Sequence, residues 1–283
     1  MTPIWQDASL RAAAAGALAL AFGGAPLGVL LVARRMSLVG DALSHGLLPG
    51  AAIAFLLAGP NPWALTVGAL LAALVVAGLS SLLARTKRLP EDGAFAVTYL
   101  GALALGIAIL GPMRDPNVVE ALLFGSVKAL DAQGLILAAS AATATLVALA
   151  LFVRGFVGEA ADPVFMRVSG LQGAPLHLLL MMLTALNLVA GFRAFGALMT
   201  VALMTVPAAA ARFWGRTYLA QAGATIVVSA LASAIGLTVG HGFGVEPGAA
   251  MALAAVALFL VSAGLGSEHS LLQSVRGRAH LRA

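Results

Sequence analysis

Residues 12–33 read AAAAGALALAFGGAPLGVLLVA and residues 34–55 read RRMSLVGDALSHGLLPGAAIAF. The first stretch holds no ionisable side chain. The second begins with an arginine pair, after which Asp41 and His45 are its only ionisable residues. A bilayer's hydrocarbon core takes about 20 apolar residues of helix to cross. The pair of stretches therefore predicts two membrane spans joined by a short basic turn.

The pattern continues outward along the chain. Of 283 residues, 61% are hydrophobic and 10% charged, and mean hydropathy is +1.02. A soluble domain carries roughly 25% charged residues, so the charge here is confined to the joints between apolar runs. Those runs fall at 12–33, 37–58, 64–84, 94–111, 134–154, 175–193, 196–211, 218–239 and 247–264. The seventh is short and contains Pro207, as a half-span or a piece of a broken helix would. The expected fold is an all-α, polytopic transmembrane helical bundle of eight or nine spans. It forms one transmembrane domain over residues 1–283, with spans over roughly 12–264 and a basic tail over 265–283. The N-terminal apolar stretch has no basic leader and no small-residue cleavage site, so it reads as a retained first span.

Orientation follows from basic residues, which concentrate on the cytoplasmic side. Arg34, Arg35, Arg85, Lys87, Arg88, Arg154, Arg167, Arg212, Arg216, Arg276, Arg278 and Arg282 share one side of this threading. Arg11, Arg114, Lys128 and Arg193 fall on the other. The C-terminus is therefore expected in the cytoplasm. The net charge of +5 reflects these anchors; no basic patch interleaves with aromatics as nucleic-acid binding would require. The chain has no cysteine, which excludes disulfides, thiolate zinc sites and thiol catalysis.

Three connections exceed a turn. Residues 112–133 contain the apolar patch VVEALLFGSV, suited to an interfacial or re-entrant helix. Residues 155–174 contain Asp162-Pro163, a helix-start signal. Residues 207–217, PAAAARFWGRT, are short and basic. The last two suit docking on a soluble partner.

Asp41 and His45 are the chemical feature of the spans. Positions i and i+4 share a helix face, and a mid-span acid costs about 2.5–3.5 kcal/mol on insertion scales. One reading is structural: Asp41 accepts hydrogen bonds from His45 or Ser44, or pairs with Arg34 or Arg35. The other is a cation site. Carboxylate plus imidazole suits zinc or manganese better than cuprous ion, which favours sulfur. Two ligands leave the shell incomplete, which fits passage better than storage. A Ser44–His45 catalytic dyad is disfavoured, because adjacent helical residues point about 100° apart. His177 reads as an interfacial residue, His241 with Glu246 as an outside-loop pair, and His269 and His280 as incidental. Met199 and Met204 read as core, and Asn187 as a helix–helix hydrogen bond.

No G-x-x-x-x-G-K-[ST] loop occurs, so the chain has no P-loop ATP site. ATP-driven transport would need a separate ATPase. Central intramembrane acids are few, whereas proton or sodium relays usually show several.

The segment from Arg34 to Phe55 resembles the signature of membrane permease subunits of ABC importers for zinc, manganese and iron, the ABC-3 family. RLPEDGAFAV, DPVFMRVSGL and FRAFGALMTVALMTVPAAAARF resemble further family segments, in order, over about residues 10–264. Val164 stands where the family has Glu, and Met166-Arg167 where it has Ala-Arg. The resemblance implies a permease homodimer in membrane lipid of a bacterial inner membrane, with ABC ATPase subunits below it and an extracytoplasmic metal-binding solute-binding protein above it. It implies that Asp41 and His45 handle the transported divalent ion, zinc first and manganese next, and that the chain binds no cofactor of its own. It makes Pro207, Ala208, Arg212 and Arg216 the ATPase-coupling element. The competing expectation is a proton-coupled secondary transporter using Asp41 as its proton site.

Overall fold

The computed structural model describes residues 8–84, 91–111, 132–170 and 173–268. Among them the regular elements are helices: α1 (Ala8–Ala33), α2 (Val39–Gly46), α3 (Leu48–Ala58), α4 (Pro62–Ala84), α5 (Glu91–Leu110), α6 (Ala132–Ala161), α7 (Pro163–Val168), α8 (Gly173–Phe195), α9 (Ala197–Ala211), α10 (Tyr218–Phe243) and α11 (Pro247–Leu265). Among the described residues eight spans are long and apolar enough to cross a bilayer, with α2 and α3 together making the second. The bundle is all-α and polytopic, as the run of apolar segments predicts.

The seventh predicted span is α9. Its 15 residues reach about 22 Å at 1.5 Å per residue, short of a hydrocarbon core near 30 Å. Pro207 lies inside it without ending it. α8 and α9 meet at a sharp turn at Gly196, whose φ of 82° a side chain would resist. The apolar patch at 112–133 falls almost wholly outside the described residues. The polar segment predicted from 155 begins instead as helix, because α6 runs on to Ala161, burying Phe156 and Glu159 on its inner face. Asp162 then starts α7 as its sequence signal predicts: its Oδ1 accepts from the N–H groups of Val164 (3.0 Å) and Phe165 (2.8 Å).

α1 is the wall shared by two cores. Its C-terminal half places Leu27, Leu30 and Leu31 in a cluster with Leu43 of α2, Val76 of α4, Phe95 of α5 and Met181 of α8. Its N-terminal half places Leu10, Ala17 and Leu20 with Met199 and Leu203 of α9 and Met251 of α11. In a bilayer, association depends on close packing and interhelical hydrogen bonds more than on water exclusion. Both occur. Gly50 of α3 and Gly68 of α4 meet backbone to backbone, with no room for a Cβ on either. Asn187 of α8 donates through Nδ2 to Thr145 Oγ1 of α6 at 2.7 Å, and the Ser80 and Thr98 hydroxyls bond α4 to α5.

Candidate metal-handling site

The turn between α1 and α2 aims the signature segment. Arg35 adopts φ 60°, the left-handed conformation that glycine usually supplies. Met36 N donates to Leu31 O at 2.8 Å and Arg35 N to Val32 O at 3.1 Å, closing α1 in a Schellman turn. Met36 is buried beside Leu31. The chain then enters α2 with Val39, Gly40, Ala42, Leu43, Ser44 and Gly46 buried. Pro49 follows and has no N–H to give the His45 carbonyl, which interrupts the hydrogen-bond ladder between α2 and α3 while Leu47 itself keeps helical dihedrals.

The two polar side chains point away from the buried face. Asp41 is 58% exposed and His45 38%, with His45 Nε2 3.8 Å from Asp41 Oδ1. The i, i+4 expectation is met, and both groups open onto the same surface of a membrane-spanning segment. Ser44 Oγ donates to the Asp41 backbone carbonyl at 2.6 Å, leaving the carboxylate aside. Arg34 reaches Glu159 at 3.8 Å, with both side chains 10% exposed, so its ion pair is with α6. Ser44 and Arg34, two of the expected structural partners of the Asp41 carboxylate, are therefore engaged elsewhere.

Two neighbours fix this face. The ring of Tyr99, on α5, stacks on His45 with centroids 6.4 Å apart at 28°. Gly40 packs on α9: an added Cβ would sit 3.6 Å from a Val201 methyl and 3.8 Å from Thr205 Cγ2. Spacing within one segment could not reveal Tyr99, because its contact is tertiary. Glu159 had a legible signal, an acid continuing an otherwise apolar run beyond Arg154. Among the described residues no group of three or more His, Cys, Asp or Glu comes together, so Asp41 and His45 offer one chain's two side-chain ligands. The apolar groove of about 880 Å³ between α3, α4 and α5 is lined by residues such as Ile53, Leu71 and Leu105 and by no charged group. Nothing in it would replace an ion's hydration shell.

The predicted coupling segment divides by exposure. Pro207 and Ala208 are buried, Ala208 against Gly28 of α1. Arg212 and Arg216 are exposed, and Trp214 is 45% exposed beside them. Only the second group can touch another protein. Of the remaining candidates, Met199 and Met204 are core as expected. His177 is buried at 8% exposure, where an interfacial position was expected, because α8 turns that face into the bundle. His241 sits exposed in the last turn of α10, one turn earlier than a loop, and Glu246 is the N-cap of α11. His269 and His280 lie outside the described residues.

The structure is an all-helical polytopic membrane bundle that carries a polar pair on one exposed face of its second span. The comparisons give it a family: the chain belongs to the ABC 3 transport family, whose profile matches residues 6–265. It is the permease of such a system, and the ATPase is a separate subunit. The chain is similar to the manganese import system permease protein ScaB of Streptococcus parasanguinis, 29% identical over 91% of this chain and 89% of that one. It is similar to the high-affinity zinc uptake system membrane protein ZnuB of Haemophilus influenzae, 30% identical over 84% of this chain and 90% of that one. Among solved structures it resembles PsaBC from Streptococcus pneumoniae in complex with Fab, with a TM-score of 0.83 and 26% identity over 95% of this chain and 96% of that one.

Proposed function

We propose that the chain is the membrane permease of an ATP-driven importer of a divalent transition-metal ion, and that Asp41 and His45 handle the ion in transit. The observation that carries this reading is the exposure of Asp41 beside His45 on a helix whose other residues are mostly buried. A carboxylate facing lipid is costly, at about 2.5–3.5 kcal/mol at mid-span. A second copy of the chain facing this one would turn that surface into a path and supply a second Asp–His pair. The cargo would then meet an oxygen and nitrogen shell that water completes, loose enough to release it.

The cargo is manganese or zinc. A carboxylate with an imidazole and no thiolate accepts either. Relatives named for manganese and for zinc match over similar shares of the chain, so the initial preference for zinc has no further support. The arginine-rich end is cytoplasmic. There the exposed Arg212, Trp214 and Arg216 corner meets the ATPase subunit, while buried Pro207 and Ala208 seat α9 on α1. A solute-binding protein delivers the ion from the opposite side. Membership of an ATP-driven family argues against the proton-coupled alternative.

The test is metal uptake in cells lacking the chain, restored with wild type, Asp41→Ala or His45→Ala. Manganese, zinc and iron are read together by mass spectrometry, with membrane levels matched. Wild type is expected to restore manganese or zinc and both variants to lose at least tenfold in rate, a loss of about 1.4 kcal/mol. Equal restoration by the variants would remove the site assignment; no restoration by wild type, with its partners present, would remove the importer reading.

A further inference from the structure

His45 belongs to a ring of contacts that closes through two other helices. Its neighbour Gly46 lies against α4: an added Cβ there would sit 3.2 Å from Val76 Cγ2 and 3.3 Å from Val76 Cγ1. One turn further along α4 is Ser80, fully buried, whose hydroxyl bonds the buried hydroxyl of Thr98 on α5. Thr98 precedes Tyr99, and the Tyr99 ring returns to His45, with centroids 6.4 Å apart and planes at 28°. Tyr99 also packs on the core cluster that holds Leu43, Val76 and Phe95. Its backbone is thus tied to α4 beside it, and its body rests on the core.

This matters because little else orients the imidazole. On an open helix face a histidine turns among staggered χ1 wells and a broad χ2 range, and only some of those positions bring a ring nitrogen toward Asp41. His45 Nε2 lies 3.8 Å from Asp41 Oδ1, too far for a hydrogen bond to hold it. Ser44 Oγ donates to the Asp41 backbone carbonyl. The Tyr99 contact falls within the 4.5–7 Å over which aromatic rings attract in offset geometry. A ring laid against the imidazole face limits its rotation. It leaves the imidazole edge, where both nitrogens lie, open to a ligand.

We propose that Tyr99 is a positioning residue for the transported ion. It holds the His45 imidazole so that Nε2 and the Asp41 carboxylate open toward one point, and it acts through His45 alone. The aromatic ring carries this role and the phenol hydroxyl does not. The proposal rests on the reading of Asp41 and His45 as the metal-handling pair, and adds to it a residue of α5 that offers the ion no ligand of its own.

The test uses the full chain in proteoliposomes with its ATPase subunit and solute-binding protein. Manganese and zinc imported per ATP hydrolysed are read at saturating metal, beside the permease's melting temperature. Tyr99→Leu and Tyr99→Met remove the ring, the second with a flexible side chain that refills the space. Tyr99→Phe keeps the ring and removes the hydroxyl. Asp41→Ala and His45→Ala report on the pair itself. The two non-aromatic variants are expected to import about three- to tenfold fewer ions per ATP, the ratio that an aromatic contact of this kind carries, at an unchanged melting temperature. Tyr99→Phe is expected to stay within about twofold of wild type. A purely structural role would lower the melting temperature, or reduce import and ATP turnover together and leave ions per ATP unchanged; either result overturns the proposal. An equal loss in Tyr99→Phe moves the role to the hydroxyl and overturns it too. If Asp41→Ala and His45→Ala lower ions per ATP and the non-aromatic variants do not, the role of the ring is wrong and the pair stands. If Asp41→Ala and His45→Ala import as wild type does, the pair is misassigned and the inference falls with it.

Discussion

The Met204 carbonyl oxygen lies against Gly28, so near that one added methyl group would overlap it. This contact seats α9 on α1 one turn before Ala208. Gly28→Ala must push the two backbones apart, and overpacking of this kind costs about 1–3 kcal/mol. Gly78, on α4, has nothing within 4 Å of an added Cβ, and its replacement by alanine should stabilise by about 0.5–1 kcal/mol through lost chain entropy. Melting temperatures of the two variants in one detergent should move in opposite directions. A shared direction would show that the contact at Gly28 is not tight.

Arg35 gives a second prediction of sign. Its left-handed conformation costs a non-glycine residue about 1–2 kcal/mol, and its side chain is exposed. Arg35→Gly should raise the melting temperature, in contrast to most substitutions in the bundle. A lower melting temperature would mean that the arginine head group stabilises the end of α1 by more than the backbone strain costs.

Function and stability should separate at two polar positions. Asp41 lies exposed, and its carboxylate takes no hydrogen bond from Ser44, which bonds the backbone carbonyl instead. Asp41→Asn should change stability by no more than about 0.5 kcal/mol while abolishing most uptake. Asn187 is the reverse case. It is 1% exposed and tied to Thr145, and interhelical bonds of this type contribute about 0.6–2 kcal/mol. Asn187→Ala should lower the melting temperature and leave the apparent affinity for the transported ion unchanged. Paired thermal unfolding and concentration-dependent uptake decide it. A stable Asn187→Ala, or an unstable Asp41→Asn, would reverse the roles assigned here.

The spans were legible because a bilayer imposes one simple requirement, a run of about 20 apolar residues. Their predicted bounds lie within a few residues of the helices for that reason, α6 excepted. There the helix outlasts its apolar run, since Glu159 and Phe156 are buried by neighbours and not by lipid. The Asp41–His45 pair was legible because both lie on one helix and share a face by periodicity. What packs on them was not. Tyr99 reaches His45 from α5, and Gly40 meets Val201 and Thr205 from α9. Such contacts follow from how helices assemble, which the span pattern leaves open. The burial of Pro207 and Ala208 beside the exposure of Arg212 likewise depends on where α9 ends against α1.

Pro49 interrupts the hydrogen-bond ladder of the second span one turn after His45, and that interruption is itself testable. Without an N–H at residue 49, the His45 carbonyl loses its ordinary partner, while Leu47 keeps helical dihedrals and its N–H reaches Leu43 O at 3.1 Å. α3 is pinned to α4 where Gly50 and Gly68 touch. Pro49→Ala restores the missing donor and should slow amide exchange around residues 47–50, with stability within about 1 kcal/mol of wild type. If the missing bond lets the turn that carries Asp41 and His45 adjust during transport, uptake should fall about tenfold. Slower exchange together with unchanged uptake would mean that the missing bond shapes the helix without serving the site.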